Sequence, residues 1–276
     1  MKKLPKNSTK GQTVLIILLV MAIMLTIGLS TISSSITDIK ISQETEEASR
    51  AFYVAESALE ESLLLPFGPA PAGSIGGINY QVSKQEQGGE EFLLPSLLEA
   101  GKPQIIWLVG HEESGSLKTD ENYTGPVDFY WGNKESSEKP ALVVSFSFKD
   151  GGNYKVSRYN FDPDETRRNT NHFDPANVGS YTVGGQDLKF SASMNIPEDI
   201  QPYFLKLALI YNSSPQYLGV KVSEANPKLP SQGFCFESNA TVESSGITRK
   251  IKQCKLWQGL PEIFLWGLFS GQDLVK

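Results

Sequence analysis

Thr13-Val-Leu-Ile-Ile-Leu-Leu-Val-Met-Ala-Ile-Met-Leu-Thr-Ile-Gly-Leu-Ser-Thr-Ile32 sits inside a longer run, Gly11 to Thr37, that contains no charged side chain. About 20 such residues, as an α-helix, cross the ~30 Å hydrocarbon core of a bilayer. The residues before Gly11 carry Lys2, Lys3, Lys6 and Lys10 and no acid. A short basic flank is held on the cytoplasmic side of a membrane. The sequence thus predicts a single membrane pass with lipid as its first partner, and everything from Asp38 onward outside the membrane.

Helical character continues beyond the apolar run. From Asp38 to Leu65 there is neither glycine nor proline, and Pro66 is the first break. Ile41, Thr45, Ala48, Phe52, Ala55, Leu59 and Leu63 recur at spacings of three and four, while Glu44, Glu47, Glu56, Glu60 and Glu61 lie mostly off that stripe. Residues 12–65 therefore read as one rod of about 80 Å. Its outer half needs something to pack on, and the small side chains of Ala48, Ala51, Ala55 and Ala58 permit close approach of another helix.

Lys10-Gly-Gln12, the apolar run behind it, and Arg50-Ala-Phe-Tyr-Val-Ala-Glu-Ser-Ala-Leu-Glu60 together resemble the start of a type IV pilin-like protein, in particular the PilX-type minor pilins. The resemblance covers about residues 8–65. It implies a leader, residues 1–11, that prepilin peptidase removes after Gly11, leaving Gln12 as the mature N-terminus. It also implies a helix that stacks with those of other pilin-like subunits, with Ala48, Phe52, Ala55 and Leu59 on the assembly face. One position departs from the pattern: the glutamate of most pilins at the fifth mature residue falls at Ile16. Minor pilins and pseudopilins placed at filament tips share that departure, which argues against a major subunit. Gln12 is also not the usual aromatic residue or methionine, which argues against N-methylation. Two other readings use the same residues. A signal peptide would be cut near Gly28-Leu-Ser30. A plain anchor would tether a surface adhesin or binding module that does not assemble.

Beyond the rod, Pro66 to Gly77 holds three prolines and four glycines and reads as a linker. From Ile78 to Lys276 the period changes to alternation. Candidate strands are Ile78–Lys84, Gln104–Val109, Val127–Trp131, Ala141–Phe148, Tyr154–Phe161 and Tyr181–Val183. Further ones are Leu188–Ile196, Leu205–Tyr211, Tyr217–Val222, Phe234–Val242 and Thr248–Trp257. Asp150-Gly-Gly-Asn153 marks a hairpin turn. The fold class is α+β: a long N-terminal membrane-spanning helix, then an antiparallel β-rich extracytoplasmic domain. A sandwich and a single curved sheet laid on the helix both satisfy the pattern.

The two cysteines of an exported chain form a disulfide. A hairpin turning at Ser244-Ser245 sets Cys235 opposite Cys254, whereas a turn at Ser245-Gly246 breaks that register. Asp162 to Ser180 reads as a polar surface loop, whose Asp162, Asp164, Glu165 and Asp174 lack the spacing of a calcium loop. His111 and His172 have no neighbouring cysteine or histidine, and neither a Gly-x-Ser-x-Gly elbow nor a phosphate-cradling loop is present. No catalytic residue, metal or cofactor is expected, and the chain reads as non-enzymatic. The net charge is −6, and without the four leader lysines about −10, which disfavours nucleic acid as a partner. Trp257, Phe264, Trp266 and Phe269 near the C-terminus form either core packing or an aromatic patch for a partner subunit.

Overall fold

The computed structural model describes residues 10–222 and 228–259. Helix α1 (Lys10–Leu64) is followed by β1 (Ala72–Ile75), β2 (Ile78–Gly89) and β3 (Glu91–Leu93). Then come β4 (Gln104–Trp107), β5 (Val109–His111), β6 (Leu117–Asn122), β7 (Gly125–Asn133), β8 (Ala141–Asp150) and β9 (Asn153–Asp162). A short helix, α2 (Glu165–Asn171), leads into β10 (Asp174–Pro175), β11 (Asn177–Val183), β12 (Gln186–Ile196) and β13 (Gln201–Ile210). β14 (Leu218–Val222), β15 (Leu229–Val242) and β16 (Thr248–Leu256) complete the described elements. One long apolar N-terminal helix and a large antiparallel β-rich remainder make an α+β protein.

The chain divides into two compact units. The first takes the chain up to Glu61, with Pro71–Val82 and Ser238–Ile251. Its core joins Ala51 and Ala55 of α1 to Ile78 of β2 and to Ala240 and Val242 of β15, with Val54, Tyr80, Ile247 and Ile251 around them. β1 pairs with β2 from Ala72↔Gln81 to Ile75↔Ile78. A third of the expected linker, Ala72–Ile75, is therefore strand. Gly76 and Gly77, at φ +58° and +76°, make the tight turn that folds Ala72–Ile75 back onto β2. The β15–β16 hairpin turns where the sequence places it: Val242 N donates to Ile247 O at 2.9 Å, and the Thr241 and Thr248 hydroxyls meet at 2.8 Å.

The second unit takes Ser62–Ala70, Ser83–Glu237 and the chain from Lys252. The strands of the chain pair as a larger sheet in the order β11-β12-β7-β14-β3-β2-β15-β16, a smaller one in the order β10-β9-β8-β13-β4, and a separate β5-β6 ribbon. Phe129, Trp131, Phe190 and Val220 from the larger sheet share one buried core with Leu142, Val144, Phe146, Phe161 and Leu207 from the smaller. That resolves the choice in favour of a sandwich. β8 and β9 pair from Leu142↔Phe161 to Asp150↔Asn153, so the Asp150–Asn153 turn is the expected hairpin. Cys235 and Cys254 are disulfide-bonded, with Cα atoms 3.9 Å apart.

Candidate functional site

The apolar half of α1 is the largest uncovered hydrophobic surface among the described residues. From Val14 to Ile41 its large apolar side chains are between 42% and 68% exposed. Exposed apolar surface of that extent marks a contact with a membrane or another protein. Three of the threonine hydroxyls in this half of α1 bond within the helix. Thr26 Oγ1 donates to the Ile23 carbonyl at 2.8 Å, Thr31 Oγ1 to Gly28 O at 2.9 Å and Thr37 Oγ1 to Ser33 O at 3.0 Å. These bonds place each hydroxyl on the helix's own backbone, so none needs water. Gly11 and Gln12 lie in the first turns of α1. Lys2, Lys3 and Lys6 of the basic flank lie outside the described residues.

The outer half of α1 behaves differently. Ala48, Ala51, Ala55, Ala58 and Leu59 are buried. Ala51 and Ala55 spend their small side chains on Ile78, Ala240 and Val242 of the same chain. Close packing of an alanine face is what the sequence calls for, and here β-strands supply the partner for its centre. Phe52, placed on the same stripe by periodicity, is 42% exposed. With Ile41, Thr45, Ala48, Tyr53, Ile247 and Arg249 it borders an open groove of about 600 Å3. Arg50 Nη2 donates to Gly76 O at 3.1 Å, which ties the β1–β2 turn to the helix. At the end of α1, Lys255 Nζ donates to Leu63 O at 2.8 Å, a cation on a terminal carbonyl.

The polar stretch after β9 is not a loop throughout. Asp164 caps α2, its carboxylate accepting from Arg167 N at 3.2 Å, and His172 closes it in the left-handed conformation. Asp162 is fully buried and accepts from Arg167 Nη2 at 2.7 Å, Arg167 Nε at 3.0 Å, Asn171 Nδ2 at 2.8 Å and Asp164 N at 2.8 Å. Burial alone would raise its pKa, but these donors outweigh burial and hold the carboxyl below its ordinary value. Asp164 is lowered by the Arg167 amide and by Lys139. The carboxylates are thus engaged with donors of the chain itself. Among the described residues no three His, Cys, Asp or Glu side chains gather into a possible metal site.

The two histidines are apart in role. His172 is the cap just described, and His111 stacks on Trp257 with ring centres 4.6 Å apart. Of the aromatic residues expected at the C-terminus, Trp257 packs in this stack, while Phe264, Trp266 and Phe269 lie outside the described residues. Sequence reasoning did not find its companions Phe67, Trp107 and Phe234, because they are scattered over the chain and only the fold gathers them. No family model, curated protein or solved structure matches the chain.

Proposed function

We propose that this protein is a minor pilin or pseudopilin-like subunit, held in a membrane by the first half of α1 and assembled into, or at the tip of, a type IV pilus or related secretion filament. The observation that carries the reading is the division of one unbroken 55-residue helix into an uncovered apolar half and a half packed on its own β-strands. Such a subunit can be stored in the bilayer and later transfer the same apolar surface onto neighbouring helices without refolding its outer part. Prepilin peptidase would cut after Gly11. The disulfide fits an oxidising compartment for the β units.

The second reading, a membrane-tethered adhesin or binding module, draws on the same core. Since Ile78, Ala240 and Val242 cover Ala51 and Ala55, the alanine face needs no neighbouring subunit. The two readings separate at the N-terminus of protein recovered from cells. Gln12 as first residue, with the protein in sheared surface filaments, supports assembly. Intact Met1 and complete absence from filament fractions would establish the tether instead.

A further inference from the structure

Away from the apolar helix, the second unit holds a cleft of about 500 Å3 lined by five rings: Phe67, Trp107, His111, Phe234 and Trp257. They come from five separate stretches: the segment after α1, then β4, β5, β15 and the end of β16. His111 stacks on Trp257 at 8° from parallel, Phe67 stacks on Trp257 at 5.7 Å, and Trp107 meets His111 edge-on at 4.6 Å.

One buried residue, Gln232, ties down both tryptophan backbones, through its side chain at Trp107 and its carbonyl at Trp257. Gln232 Oε1 accepts from Trp107 N at 2.8 Å, and Gln232 Nε2 donates to Trp107 O at 2.8 Å. The Gln232 carbonyl accepts from Trp257 N at 3.0 Å. Beside it, Gly233 sits at φ +124°, where a Cβ would collide with the Lys255 and Leu256 backbone. Only glycine lets the end of β16 come so close. The rings are therefore held by backbone on strands, the kind of rigid support a binding site needs.

Plain core packing does not account for two features. Buried indole N–H groups normally find an acceptor. Those of Trp107 and Trp257 have none among the described residues. The exposed residues Glu113, Ser114 and Lys255 also border the cleft and add polar groups to its rim. A ligand matched to this site has apolar faces and a hydrogen-bonding edge.

We propose that the cleft binds a neutral saccharide, specifically a β-1,4-linked hexose or N-acetylhexosamine unit. An all-equatorial sugar ring presents C–H groups on both faces, which lie against aromatic rings. Its hydroxyl and acetamido oxygens at the edge accept from N–H groups, and its hydroxyls donate to a carboxylate such as that of Glu113. Burial lowers the pKa of His111, partly offset by a hydrogen bond to the Val109 backbone. Burial thus disfavours the charged form of the ring. The inference does not depend on assembly through α1.

The test uses the full chain in lipid nanodiscs, because maltoside detergents carry sugar headgroups of their own. Chitotriose and cellotriose are titrated and followed by saturation-transfer NMR and calorimetry. Saturable binding of either sugar is expected, weakened at least about tenfold by Trp257→Ala and retained by Tyr154→Ala, which changes an exposed ring outside the cleft. Leu117→Arg, at a partly exposed lining position outside the ring stack, should block the cleft and abolish binding should Trp257→Ala fail to fold. No saturable binding of either sugar by the wild-type chain, or equal binding by wild type and Leu117→Arg, overturns the proposal.

Discussion

Glu138 is the carboxylate around which one end of the sandwich is arranged. Its oxygens accept from Ser213 N at 3.0 Å, Ser214 Oγ at 2.8 Å and Gln216 Nε2 at 2.8 Å, and from the Ser213 hydroxyl. The Ser213 and Ser214 hydroxyls are the main cause of a pKa lowered to about 2. A carboxyl depressed in the folded state contributes stability that is present above its unfolded value and is lost as pH falls toward the folded value. Glu138→Gln should therefore flatten the loss of stability between about pH 4.5 and pH 2, read as urea midpoints of the two proteins at several pH values. Parallel acid limbs would refute the assignment. Asp162 makes a different case, because it is buried and Arg167 is 30% exposed. Asp162→Ala removes the acceptor of Arg167 Nε and Asn171 Nδ2, leaving Arg167 Nη2 on the Lys139 carbonyl, and should destabilise the protein by about 3 kcal/mol, the lower end for breaking a buried pair. Denaturant unfolding measures it, and a change within error would mean water replaces the carboxylate.

At the scale of elements, α1 and the strand at Ile78 meet through alanines. Ala55 is fully buried, so Ala55→Trp overpacks the first unit and should cost about 1–3 kcal/mol or more. A lowered melting transition of the full chain is the expected result, and an unchanged one would mean this face is loose enough to open. The β15–β16 hairpin carries the cysteines. Non-reducing peptide mapping should join the peptides holding Cys235 and Cys254, and Cys235→Ser/Cys254→Ser should lose about 3 kcal/mol in the chain-entropy account. Free alkylation of both thiols in native protein would contradict the pairing. Most of these elements were legible because period is a strong signal: the candidate strands overlap observed ones, except that Gln104–Val109 breaks at Leu108 into β4 and β5, which join different sheets. The rest failed for local reasons. β1 is Ala-Gly-Ser-Ile, too short and glycine-rich to show alternation. Glu91–Leu93 is too short to show a period, and Leu117–Asn122 carries a single apolar residue. Helix α2 buries no residue and so has no apolar period to mark it. Periodicity places Ala55 and Phe52 on one stripe, but it carries no information on which strands will cover one and leave the other bare.

For the whole molecule, a helix of 55 residues is about 80 Å long, more than twice what a bilayer core accommodates. The apolar first half suits that core, and the acidic second half belongs outside it. The apolar surface is satisfied either permanently by lipid, as in a tether, or in turn by lipid and by other helices, as in a filament. Processing distinguishes them before any assembly occurs. In both readings Lys2, Lys3, Lys6 and Lys10 hold the N-terminus on the cytoplasmic side, and a chain that kept them could not be drawn out of a bilayer without moving those charges through it. In the assembly reading, a peptidase must remove them, and Gly11 supplies the minimal side chain at the position it cuts. Gly11→Val should therefore leave a chain longer by the leader, retained in membranes and missing from sheared filaments. Its folded β units and disulfide should be unaffected, because Gly11 lies at the opposite end of α1 from the Ala51–Ala55 core. The measurement compares intact mass and the membrane and shear fractions of wild type and Gly11→Val in a host with prepilin peptidase. A wild-type mass that still includes residues 1–11, so that the two proteins differ only by the glycine-to-valine increment, would mean the leader is never cut. The apolar helix would then be a permanent anchor for the β units.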